Sequence, residues 1–315
     1  MRLLLTGGTG FFGKALLRHV LAAGLPDEAS VVVLSRNPER FQSTYPAFAA
    51  NGPITFFKGD ILNRASLPWG HAFSHVLHAA TDSTIGPSLT PLQRYDQIVD
   101  GTRNILDLAV ATGARRFLLI SSGAIYGPQP ADLDALPEGW PGSPPLAEPT
   151  TTYGQAKRAA EHLCALFGAQ HGLETVVARC FAFVGPDLPL DVHFTIGNFI
   201  RDARTADAIT VFGDGTPLRT YLDQTDLAHW LFTLLDQGCG GQAYNVGSDE
   251  VISIADLAHL VGGILAPNKP VRILGQPSPG APRHRYVPEI QKAKRAFGLS
   301  ATVSLADAIR RCADA

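Results

Sequence analysis

The chain has 315 residues, of which 17% are charged and 45% hydrophobic, and carries a formal net charge of −2. This composition excludes intrinsic disorder, and a balance so near neutral argues against a nucleic-acid partner, whose phosphates call for a cationic surface. No run of ~18 apolar residues spans a membrane, the start Met1-Arg2-Leu3-Leu4-Leu5-Thr6 is too short for a signal peptide, and Cys164, Cys180, Cys239 and Cys312 lack metal-ligand spacing. The expectation is a cytoplasmic globular chain with reduced thiols and no metal.

In chain order, Arg2 to Leu5 is a short apolar run and Phe12 to Ala23 reads as a helix before Gly24. Strands follow at Ser30 to Leu34, Ile54 to Phe57 and His75 to His78, then a long helix over Leu89 to Thr112 and a fifth strand over Arg116 to Ile120. Tyr153 to Gly172 reads as a helix and Glu174 to Cys180 as a sixth strand. Apolar runs without alternation point to strands buried on both faces. Alternating with helices, they predict an α/β Rossmann-type doubly wound parallel sheet.

Between Gly127 and Pro149 lie seven prolines, four acidic residues and little periodicity. A loop of that length suits a lid and an inert excursion equally. The last third has a Gly213-Asp214-Gly215 turn, helices at Leu227 to Leu235 and Ile254 to Leu265, and two short C-terminal helices. The expected organisation is a dinucleotide-binding domain over 1–180, drawing also on about 205–245. Residues 181–315 then form mainly a smaller, partly interleaved α/β substrate domain.

Gly7, Gly10 and Gly13 follow the first strand and open the first helix, with Phe11 and Phe12 between the last two. A pyrophosphate at a helix N-terminus needs free backbone N–H groups and no Cβ in the way. The second strand ends in Ser35-Arg36 with no carboxylate for a ribose 2′-hydroxyl. Both side chains suit a 2′-phosphate, although Arg36 could instead cover the adenine face. The balance favours NADP(H) slightly over NAD(H). Asp60-Ile61 after the third strand suits the adenine amino group, and Ala79-Ala80-Thr81 after the fourth leaves room for cofactor across the strand tips.

Tyr153 and Lys157 stand at i and i+4 on one helix face. A phenol titrates near ~10, too high for a base at neutral pH, and a neighbouring cation favours the phenolate. Lys157 is also placed to hold the nicotinamide ribose. Ser122, ending the fifth strand, offers a hydroxyl to a substrate oxygen.

The succession TGGTGFFG, GD-I, HAAT, SSGAIYG and YGQAK resembles the extended short-chain dehydrogenase/reductase family of sugar-nucleotide epimerases, dehydratases and 4-ketoreductases. The likeness continues through Arg179 to Pro186, Gly213 to Arg219 and Tyr244 to Ser248. It implies an enzyme that moves a hydride at C4 of a nucleotide-diphosphate sugar. Tyr153 would be the acid/base, Lys157 its electrostatic partner and Ser122 the oxygen-positioning donor. It also implies that Arg219, Arg283 and Asn198 contact the substrate, and that a homodimer joins through the helices around Leu92–Val110 and Tyr153–His171. Leu106, Val110, Leu163 and Leu166 could supply the apolar outer faces, or face the chain's own core.

The chain also departs from the family. Gly123-Ala124 stand where dehydratases resemble an acidic pair, and neither can protonate a leaving hydroxyl, so a 4,6-dehydratase is not expected. Ala182 replaces the Asn of a common RxxN, and Gln97 to Asp100 precede Gly101-Thr102 without an Asn. Net ketoreductase and 4-epimerase remain open. So do a reductase of a non-sugar carbonyl and, from another class, a non-catalytic NAD(P)-binding redox sensor or scaffold.

Overall fold

Leu3, Leu4 and Leu5 are each at most 1% exposed, so the first strand is covered on both faces, as its unbroken apolar run demands. The computed structural model describes residues 1–24, 29–49, 52–81, 89–278, 280 and 283–313. In it β1 (Arg2–Thr6), α1 (Phe11–Ala23), β2 (Ser30–Ser35), α2 (Pro38–Thr44), α3 (Pro46–Ala49) and β3 (Ile54–Lys58) come first. They are followed by β4 (His75–His78), α4 (Pro91–Ala111), β5 (Arg116–Ser122), α5 (Thr152–His171) and β6 (Glu174–Cys180). Next are β7 (Phe183–Val184), α6 (Thr195–Thr205), β8 (Ile209–Val211), β9 (Leu218–Arg219), β10 (Leu222–Asp223), α7 (Gln224–Gln237) and β11 (Ala243–Val246). The chain ends with β12 (Ile252–Ser253), α8 (Ile254–Leu265), β13 (Val271–Ile273), β14 (Arg285–Tyr286), α9 (Gln291–Phe297) and α10 (Leu305–Ala313).

Seven strands form a parallel sheet in the order β11-β6-β5-β4-β1-β2-β3. From β1 the chain winds outward through β2 and β3, then returns to β4 on the other side and continues through β5 and β6. Right-handed crossovers send the helices of the two halves to opposite faces. This is the doubly wound Rossmann-type fold expected, with its reversal between β1 and β4. Under α4 and α5 the core joins Val76, Phe117 and Leu119 of the sheet to Ile98, Ile105 and Phe167. Leu106 is buried in that core, and half-buried Val110 and Leu163 pack against it. Leu166, by contrast, is 41% exposed, as are Leu92 at 76% and Tyr95 at 39%.

The chain divides into two compact units. The first comprises Met1–Ile125, Ser143–Arg179 and Ala228–Tyr244, and the second Tyr126–Gly142, Cys180–Leu227 and Asn245–Ala315. In the second unit lies most of the proline-rich segment, joined to its neighbours by hydrogen bonds at Leu136. Leu136 is fully buried, its N–H donates to the Val287 carbonyl (2.8 Å), and its own carbonyl accepts from Glu289 N (2.9 Å) and Asn245 Nδ2 (2.8 Å). Asn245 ties the segment down. All four cysteines are free thiols, no helix among the described residues is long and apolar enough to cross a membrane, and no cluster there suits a metal ion.

Candidate functional site

The carboxyl ends of β1 and β4 flank the sheet's reversal, where open α/β sheets bind ligands. Gly7 leaves β1 at φ +72°, and a Cβ there would stand 2.6 Å from the Ala79 carbonyl carbon, so only glycine lets the two strand ends approach. Gly10 caps α1 and is exposed, with Phe11 and Phe12 behind it, half-buried and edge to face at 5.8 Å. The open face above Gly10, at a helix N-terminus, fits a dinucleotide pyrophosphate.

Thr6 and His78 lock these strand ends together. Ala80 N–H donates to Thr6 Oγ1 (3.2 Å), and the Thr6 hydroxyl donates to His78 Nδ1 (2.7 Å). His78 Nε2 then carries the ring proton and donates to Thr102 Oγ1 (3.2 Å), which donates to the Ile98 carbonyl (2.6 Å). Burial, with Lys157 adding repulsion, pushes the His78 pKa down to about 3, so the ring stays neutral. The motif containing His78 was legible; its proton order was not.

Around the rest of the predicted cofactor set, Ser35 Oγ accepts from Asn37 N (3.3 Å) and Arg36 is exposed. Asp60 Oδ1 accepts from Leu62 N (2.9 Å), while Ile61 packs on Gly101 and its carbonyl accepts from Asn104 Nδ2 (2.8 Å). Ala79, Ala80 and Thr81 are half-buried at the end of β4.

The three residues expected to do chemistry converge in the first unit. Lys157 is 3% exposed, and its ammonium donates to the Ile120 carbonyl (2.7 Å) and to Thr81 Oγ1 (2.9 Å). It thus ties α5 to β5 and to the segment that follows β4. The same ammonium lies 5.8 Å from the Tyr153 ring centroid. A Cβ on Gly154 would come 2.6 Å from the Ala124 carbonyl, so the first turn of α5 sits against the chain just beyond Ser122. Ser122 is 7% exposed; its Oγ accepts from Ala124 N (3.1 Å), which leaves its proton to donate elsewhere.

Two further features escaped the sequence reading. Glu161, one turn beyond Lys157, accepts from Ser121 Oγ (2.5 Å) and from Arg179 Nη2 (2.8 Å), bracing β5, β6 and α5. Its i+4 spacing from Lys157 was a usable signal. Arg94 of α4 places its guanidinium carbon 5.6 Å from the Tyr153 ring centroid, and its Nε is buried without a hydrogen-bond partner. No spacing rule links positions so far apart.

The predicted substrate residues lie in the second unit. β14 pairs with β9, Leu218 N donates to the His284 carbonyl (2.8 Å), and this brings the segment carrying exposed Arg283 beside Arg219. The Arg219 guanidinium lies over the Tyr286 ring at 5.9 Å. Asn198 is on α6, where its Oδ1 accepts from Arg201 Nη1 (3.1 Å), a contact within its own helix.

A glycine loop at the reversal of a parallel sheet, with a tyrosine and a buried lysine one helical turn apart, defines a dinucleotide-dependent oxidoreductase-type α/β protein. The sequence profile of the NAD dependent epimerase/dehydratase family matches residues 3–247, and the chain belongs to that family of enzymes. Among curated relatives, UDP-glucuronic acid decarboxylase 1 of Arabidopsis thaliana is 27% identical over 99% of this chain and 68% of its own length. UDP-glucuronic acid decarboxylase 6 of the same plant is 28% identical over 98% of this chain and 87% of its own. A third, decarboxylase 2, is covered over 66% of its length. Among solved structures, UDP-glucuronic acid 4-epimerase from Bacillus cereus, with UDP-glucuronic acid and NAD, superposes with a TM-score of 0.83 at 25% identity. That alignment covers 100% of this chain and 98% of the epimerase. UDP-glucose 4-epimerase from Thermotoga maritima gives a TM-score of 0.84 at 22% identity over 100% and 98% of the two chains, a likeness of fold.

Proposed function

We propose that this enzyme is a sugar-nucleotide 4-ketoreductase or 4-epimerase in which Tyr153 moves the proton of the sugar C4 hydroxyl. The observation that carries this reading is the Lys157 ammonium, held by Ile120 and Thr81 within 5.8 Å of the Tyr153 ring. A fixed cation favours the phenolate, which then accepts the hydroxyl proton as the carbinol is oxidised and returns it on reduction. The Ser122 hydroxyl, whose Oγ accepts from Ala124 N, would donate its proton to the same oxygen. Gly7, Gly10, Phe11, Phe12, Gly13, Asp60, Ile61, Ala79, Ala80 and Thr81 would hold the cofactor. Bound there, the nicotinamide would take and return the hydride at C4.

The absence of a carboxylate at the end of β2, with Ser35 and Arg36 in its place, favours NADP(H); NAD in the Bacillus cereus relative favours the alternative. UDP-sugars in the relatives' names support a nucleotide-diphosphate sugar, with Arg219 and Arg283 as its phosphate ligands and Asn198 beside it. A 4,6-dehydratase is disfavoured by Gly123 and Ala124, which carry no acid. The exposed Leu92, Tyr95 and Leu166 support a homodimer through α4 and α5, to be read by light scattering of wild type and Leu166→Lys.

Replacing Tyr153 with Phe tests the core reading. Turnover of UDP-sugars should fall by about 100-fold or more while cofactor affinity is kept. Unchanged turnover would sink the assignment, and an inactive wild type that binds cofactor would favour a redox sensor.

A further inference from the structure

Arg94 is half-buried in the first turn of α4, and its position is electrostatically expensive. Its Nε is buried with no acceptor, and among the described residues no carboxylate pairs with its guanidinium. A buried donor on a cation costs more than a neutral one. The cation also stands at the helix N-terminus, where the macrodipole is already positive. Lys157 crowds the same ring from 5.8 Å, against 5.6 Å for Arg94. Two cations and a helix N-terminus therefore lie around one phenol.

We propose that Arg94 receives a carboxylate on the sugar itself, so that the substrate is a nucleotide-diphosphate hexuronic acid. This rests on the nucleotide-sugar reading above and extends it to the substrate's sixth carbon. When the C4 hydroxyl meets the Tyr153 oxygen, the C6 carboxylate on the neighbouring C5 lies on the side of the sugar facing that tyrosine's surroundings. The diphosphate, on C1, stands across the sugar ring from C4 and does not compete for Arg94. A planar guanidinium on a half-buried side chain matches the two carboxylate oxygens, which an ammonium cannot do bidentately. The pair would form only when the substrate shields it from water, where a charged hydrogen bond counts most.

The test is calorimetric titration of UDP-glucuronic acid and UDP-glucose into cofactor-loaded wild type, Arg94→Gln and Arg94→Lys, with cofactor affinity as the check on folding. Wild type should bind the uronate at least about 10-fold more tightly than the glucose compound. Arg94→Gln should lose about 10- to 100-fold for the uronate and less than about threefold for UDP-glucose, and Arg94→Lys should fall between. Equal losses for both ligands, or no preference in wild type, would overturn the role of Arg94 and leave the nucleotide-sugar reading standing. Binding of neither ligand by loaded wild type would overturn that reading and this one together.

Discussion

At Gly13 an added methyl group would stand 2.2 Å from the backbone of Gly8, whereas at Gly10 the nearest atom is the Gly7 carbonyl oxygen at 3.6 Å. Gly13 is demanded by the packing of α1 on the loop that precedes it, Gly10 by nothing in the chain. Gly13→Ala should therefore destabilise the protein by roughly 1–3 kcal/mol, since backbone cannot swing aside as a side chain would. Gly10→Ala should leave the urea midpoint within error and weaken cofactor binding at least about 10-fold, since its Cβ would intrude on the proposed pyrophosphate position. Loss of stability at Gly10 with unchanged affinity would refute this division. Such residues were legible in the sequence because chemistry demands particular residue types at fixed spacing, as with Tyr153 and Lys157. Arg94 was not, because its meaning is a distance to a ring on another helix.

The Thr6–His78–Thr102 chain makes β1, β4 and α4 behave as one piece, since each hydroxyl has its donor and acceptor roles fixed by the next group. Folding holds the ring neutral with a pKa near 3, against an ordinary value near 6.5. Above pH 6.5 neither state binds the proton, and the contribution is whole. As pH falls from 6.5 toward 3 the unfolded chain takes up a proton that the folded chain refuses, so stability is progressively lost. Burial lowers His19 and His75 as well, adding to the same slope. His78→Phe should thus cost about 1–3 kcal/mol at pH 7.5 and lose less than wild type between pH 7.5 and pH 5 in urea titrations. Parallel losses in both proteins would refute the assignment. Strands β1 to β6 and helices α1, α4 and α5 were legible to within a residue or two, because buried parallel strands read as unbroken apolar runs; β11 was not. Helix α6 is hidden by its Thr, Gly, Asn and Asp, which are poor helix formers. Ile196, Phe199, Ile200 and Ala203, all buried, carry the i, i+3, i+4, i+7 stripe that would have revealed it. Also hidden are α2 and α3, which are too short to show a period.

At the scale of the whole molecule, fold and family follow from the motif order, and cofactor choice would decide between the two activities proposed above. A reductase must exchange spent cofactor with a reducing pool, which NADP(H) serves; an epimerase takes back its own hydride and gains from holding NAD tightly. Ser35 and Arg36 at the end of β2 are the residues that arbitrate, because a 2′-phosphate needs the cation that a 2′-hydroxyl does not. A ligand at 100 times its dissociation constant adds about 2.7 kcal/mol to the folded state, so selectivity is readable as a thermal shift on the whole chain. NADPH should raise the melting temperature more than NADH at equal concentration, and Arg36→Ala should erase the difference by lowering only the NADPH response. The purified protein should also release no bound NAD on denaturation. If it does release stoichiometric NAD, and Arg36→Ala shifts neither response, Arg36 merely covers the adenine face. The enzyme is then a 4-epimerase that recycles its own hydride, and the residues around Tyr153 need no route for cofactor exchange.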